Sequence, residues 1–171
     1  RRLSFPLRKL LEQDEPRQLL AEVVEAVVAN LRGQTPLVLA MPSPKHWLHH
    51  ANVLAGRSAS ELDPDGIEDA AMYMADLLRS VSASPVGGVL LEEHPNDAAM
   101  GETDLERYRP LINVARHYRW SLALRPQGNG VAAVHAYQLG LECVLAAGVH
   151  QSQRNHVVRI APAPVPCPAG Q

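Results

Sequence analysis

Two apolar patterns alternate along this chain. The first has helical spacing. Leu19, Leu20, Val23, Val24, Val27, Val28 and Leu31 form one stripe and predict a helix over Glu15–Leu31, with Pro16 in its first turn and Gly33 as its stop. Ile67, Ala70, Ala71, Met74, Leu77, Leu78 and Val81 predict a second over Pro64–Ser82, with Asp63 as N-cap. Leu105, Tyr108, Leu111, Ile112 and Ala115 predict a third over Thr103–Tyr118. Lys45–Ala55 and Val131–Leu139 are shorter helical candidates, and Leu3, Phe5, Leu7, Leu10 and Leu11 mark Arg1–Gln13 as a short docking segment.

The second pattern is the short continuous run. Pro36–Met41, Gly88–Glu92, Ser121–Arg125, Leu141–Ala146 and His156–Ile160 read as strands. The run PLVLAM, apolar at alternate and intervening positions alike, is what a strand buried on both faces of a parallel sheet requires. Strands alternating with helices predict the α/β class, built from parallel strand–helix units. Two closures fit: a TIM-barrel-like arrangement, partial because the strands are too few for a full barrel, and an open doubly wound sheet. A single α/β domain is expected over residues 1–160, followed by a Pro-rich extended tail over 161–171.

Composition narrows the function. Of 171 residues, 46% are hydrophobic and only 4% aromatic, so Leu, Val and Ala must fill the core. A net charge of −2 without a basic stripe argues against nucleic-acid binding. No apolar run approaches the ~20 residues of a membrane span, and no signal peptide is visible. Cys143 and Cys167 form no CxxC and match no zinc spacing, which makes a reduced, cytoplasmic chain the expectation. The chain begins at Arg1, not Met, so an absent N-terminal segment or a homo-oligomer is expected to cover the edges of a partial barrel.

In parallel α/β folds, chemistry collects at the C-terminal ends of strands. Three such ends carry polar groups. His46, His49 and His50 follow the first strand, and Trp47 lies among them. His46 and His50 are one helical turn apart and could chelate a divalent metal, with solvated loop histidines as the plain alternative; no other cofactor is implied. Glu92, Glu93 and His94 follow the second strand, and Arg125 ends the third, with Asn129 behind it in Gly128–Asn129–Gly130. Glu93 and His94 are the candidate acid–base groups, and Arg125 is the candidate partner for a substrate carboxylate. An ordinary Glu93–Arg125 ion pair is the competing reading. Trp47, His50, Glu92 and Asn129 are the candidate ligand contacts. Cys143 is expected to be a small core residue, and neither cysteine has an activating neighbour.

The stretch from Gln34 to Gly148 resembles the uroporphyrinogen decarboxylase superfamily. PLVLAMPSPKHWLHHANVLAG is similar to that family's strand, Pro turn and aromatic-bearing helix, and LERYRPLINVARHY and WSLALRP are similar to a later helix and strand. The resemblance implies a TIM barrel binding an anionic, tetrapyrrole-like or carboxylate ligand, with lyase activity. The family's Arg-rich N-terminal motif has no counterpart here. Ala146, Ala147 and Gly148 stand where Gly-Leu-Asp ends a family strand, and no zinc ligand stands at Leu124–Pro126. A rival expectation from another class is a non-catalytic partner or regulatory subunit that uses a half-barrel surface for assembly.

Overall fold

A computed structural model describes residues 2–57, 62–94 and 102–126, and the backbone of three further strands. The elements are α1 (Phe5–Leu11), α2 (Asp14–Leu31), β1 (Leu37–Pro42), α3 (Pro44–Leu54), α4 (Pro64–Arg79), β2 (Val86–Glu92), α5 (Glu102–Glu106), α6 (Arg109–Tyr118), β3 (Ser121–Arg125), β4 (Cys143–Ala146), β5 (Val149–Ser152) and β6 (Val157–Val158). The helix expected at Val131–Leu139 and the tail at 161–171 lie outside the described residues.

One open sheet holds the strands in the order β1-β2-β3-β4-β5-β6. The first four run parallel. Their order never reverses, so right-handed crossovers carry the helices between β1 and β2 and between β2 and β3 to a single face. The packing agrees: α4, between β1 and β2, lies against α6, between β2 and β3. The last two strands add antiparallel. A fifth strand continuing the parallel rhythm was expected near His156–Ile160. Instead Val157–Val158 closes an antiparallel pair with β5, which forms over Val149–Ser152, a segment with no strand signal.

The register separates the two faces of the sheet. Leu39, Val89 and Leu122 form one row, and Met41, Leu91 and Leu124 the next. In β2 and β3 these side chains are buried, and they face the helix layer. The intervening rows, Val38–Gly88–Ser121 and Ala40–Leu90–Ala123, lie on the other face, where Val38, Ala40 and Ser121 are exposed. β1 was expected to be buried on both sides. It is the edge strand, with intermediate and exposed residues alternating along it, so its apolar run does not reflect two covered faces.

α3 and α4 begin where the sequence supplies caps. Asp63 accepts the Gly66 N–H ahead of α4, and Ser43 accepts the His46 N–H ahead of α3. α4 is the centre of the layer, with Ile67, Ala70, Ala71, Met74, Leu77 and Leu78 buried. Each large apolar side chain buried this way contributes roughly 1.5–3 kcal/mol. The single helix expected over Thr103–Tyr118 is two. Pro110 has no N–H and would crowd the carbonyl four residues back, so α5 stops at Glu106 and α6 restarts at Arg109 with Tyr108 as its N-cap.

Gly88 lets β2 and β3 approach: a Cβ there would stand 2.6 Å from the Ser121 backbone oxygen. Gly88→Ala should therefore cost about 1–3 kcal/mol in chemical denaturation, since two strand backbones must separate. A cost within about 0.5 kcal/mol, the range of ordinary surface changes, would contradict this register.

Candidate functional site

Glu92 ends β2 and Glu93 follows directly, and the alternation of the extended chain sends the two carboxylates to opposite faces. Glu92 shares a row with Pro42 and Arg125, on the face away from the helices, and its carboxylate accepts from the Arg125 guanidinium. Glu93 turns toward the helix layer and is 5% exposed. There the Tyr108 hydroxyl donates to its Oε1 at 2.8 Å, and Tyr108 is itself fully buried. The pairing expected between Glu93 and Arg125 is thus split. Arg125 bonds Glu92 through side chains, and it meets Glu93 only where its carbonyl accepts the Glu93 N–H at 3.1 Å.

The break before Pro110 puts Tyr108 at this point. As N-cap, it lies at the start of α6 and reaches the end of β2. Burial, then the Glu93 charge, hold its phenol well above the usual tyrosine range, opposed by hydrogen bonds with Ser43 and the Lys45 backbone. Ser43, buried after β1, also donates its own N–H to the Glu92 carbonyl at 2.8 Å. Tyr108 therefore ties the segment after β1 to the segment after β2.

Two further groups from separate strand–helix units meet here. Lys45, in the first turn of α3, bonds Asp104 of α5 at 2.6 Å, and both side chains are largely buried. His94 stacks on His46 with ring centroids 4.8 Å apart and planes within 9°. His50 extends the stack at 6.0 Å from His46. His46 is half-buried, while His50 and His94 are exposed. Trp47, next to them, is partly buried against the core. Among the described residues, no group of three or more His, Cys, Asp or Glu is arranged to hold a metal ion, and His46 and His50 lie ring over ring. Asn129 lies outside the described residues.

The structure thus brings together Glu92, Glu93, His94, Arg125, His46 and His50 at one end of the sheet. Sequence reasoning missed Tyr108, Ser43, Lys45 and Asp104. Tyr108 was read as one more apolar helix position; the Pro two residues on was the signal that set it apart.

A cavity of about 700 Å³ lies elsewhere among the described residues. It lies in the helix layer between the start of α2, α4 and α6, beside Tyr73, Val114 and Tyr118. At its side Arg17 bonds Asp76 at 2.6 Å and the Leu11 carbonyl at 2.5 Å. That is a helix-anchoring arrangement, so the strand ends remain the better candidate for chemistry. No helix of the described residues is long and apolar enough to cross a membrane. No family model, curated protein or solved structure matches the chain.

A tyrosine whose folded pKa lies above its unfolded value gives stability that is complete below the unfolded value and is lost as pH rises through the folded one. Wild-type stability should therefore fall as pH climbs past about 10, and Tyr108→Phe should flatten that decline while being less stable at neutral pH by about 1–3 kcal/mol. Denaturant titrations at a series of pH values check both. Parallel declines in the two proteins would contradict the buried phenol.

Proposed function

We propose that this protein binds the carboxylate groups of an anionic ligand at the C-terminal ends of its parallel strands, within a TIM-barrel-like frame. The observation that carries this reading is the stacking of His94 on His46 at the same sheet end as Arg125. Imidazole is the side chain that gains a proton near neutral pH. Two imidazoles this close repel when both are protonated, and a ligand carboxylate beside them relieves that repulsion. Arg125 supplies a permanent charge that Glu92 holds in place. Sequential strand order and one-sided helices support the barrel-type frame over the doubly wound alternative, which needs a reversal of order. The resemblance to uroporphyrinogen decarboxylases favours a tetrapyrrole carrying several carboxylates; a small dicarboxylate shares the chemistry.

A lyase reaction on such a ligand breaks the bond to a carboxyl carbon and needs a proton for the carbon left behind. His94, exposed beside His46, is the group we assign to that delivery. Glu93 and Tyr108 fix the floor of the site through their buried hydrogen bond.

The test is calorimetric titration with coproporphyrin and, separately, with succinate, near pH 6 and near pH 8. We expect saturable binding of one of them, tighter at the lower pH, and at least about tenfold weaker in Arg125→Ala and in His94→Ala. Porphyrin binding alone identifies the tetrapyrrole source of the carboxylates, and succinate binding the small-acid source. Absence of binding by both, or binding that neither substitution weakens, overturns the proposal.

A further inference from the structure

The cavity in the helix layer takes no part in the strand-end site. At about 700 Å³ it is within the roughly 300–1,000 Å³ range of small-molecule pockets. Leu11, Ala75 and Val114, all buried, give it an apolar wall. Two half-buried rings, Tyr73 of α4 and Tyr118 of α6, extend that wall. Tyr118 is held by its own neighbours: its ring centroid is 4.9 Å from that of Trp120 and 4.7 Å from that of His117. A wall with fixed rings suits a flat aromatic group, because each well-placed ring pair adds about 0.5–1.5 kcal/mol beyond the area it buries.

The polar side of the cavity is cationic. Two carboxylates line it among the described residues, Glu12 and Asp76. Asp76 is shared by Arg17 and Arg79, and Glu12 by Arg8 and Lys9, so each carboxylate answers to two cations. Arg17 and Arg79 line the cavity themselves. Arg17 is the inner of the two, with its side chain 24% exposed. Its Nε donates to the Leu11 carbonyl and its Nη2 to Asp76, and among the described residues no acceptor meets its Nη1. A guanidinium fixed at two nitrogens offers its third to an anion and its plane to a ring, with little side-chain freedom left to lose.

We propose that this cavity binds a flat aromatic carboxylate, with its ring on the apolar wall beside Tyr73 and Tyr118 and its carboxylate at Arg17 and Arg79. The proposal does not depend on the strand-end reading: the two sites share no residue. The excess of cations over carboxylates selects an anion rather than a neutral ligand. The two tyrosines and the guanidinium plane select an aromatic ring rather than an alkyl chain. An aliphatic acid meets the charge without the rings, and an uncharged ring does the reverse. The inference concerns binding alone and assigns no reaction to the cavity.

The experiment is calorimetric titration of the full chain with 2-naphthoate, and with 2-naphthamide and decanoate as the uncharged and the ring-free comparisons. We expect saturable binding of naphthoate, at least about tenfold tighter than that of either comparison. Arg79→Ala removes an exposed cation of the rim and should weaken naphthoate at least about threefold. Asn113→Trp, at an exposed position of α6 that lines the cavity, should fill it and weaken binding at least about tenfold, with the circular dichroism unchanged. No saturable binding at millimolar naphthoate, equal binding of the amide or of decanoate, or binding that either substitution leaves unchanged overturns the proposal. Binding that is kept in Asn113→Trp and lost in Arg125→Ala belongs to the strand ends and overturns it as well.

Discussion

A carboxylate inside a helix–sheet interface is costly unless a hydrogen-bond donor reaches it, and Glu93 sits in that position. Its bond from Tyr108 is the constraint on which the strand ends depend. Tyr108 occupies its place because Pro110 interrupts a helix that would otherwise run from α5 into α6. Its hydroxyl then meets a residue just past β2, while Ser43, just past β1, approaches the same phenol. One side chain thus sets the relative positions of two strand ends, and through the Glu93 N–H and the Arg125 carbonyl, a third.

The pleat does the rest. Two adjacent glutamates cannot share a face, so burying Glu93 among helices obliges Glu92 to face the other side of the sheet, in the row of Arg125. The site consequently has a buried, neutral-phenol-bonded carboxylate below and a visible charge pair above. The His46–His94 stack belongs to the same end, each ring contributed by a different strand–helix unit.

Much of this order could be read from the residues. Periodicity located α2, α4 and the first three strands to within a few positions, because each is defined by local spacing and, in α4, by the Asp63 cap. The class of fold followed from their alternation. Other features depend on tertiary packing that spacing alone does not encode. PLVLAM reads as doubly buried, yet β1 is an edge strand. Leu19, Val23 and Val27 belong to the same sequence stripe as Val24, yet only part of that stripe meets the core. Glu92 and Glu93 are interchangeable in the sequence until the register decides which one turns inward. β5 carries no strand signal, and the run read as a strand at His156–Ile160 holds β6, whose antiparallel pairing spacing does not encode.

The most direct test of the account is a double-mutant cycle between the end of β2 and the start of α6. Glu93→Met, Tyr108→Phe and the double variant are compared in chemical denaturation, alongside the same cycle with Glu92→Met. The account predicts a coupling of about 1–3 kcal/mol between Glu93 and Tyr108, with the double variant less destabilised than the sum of the singles, and coupling within about 0.5 kcal/mol for Glu92. Additivity at Glu93, or comparable coupling at Glu92, would mean that the pleat and the helix break do not organise the site as described.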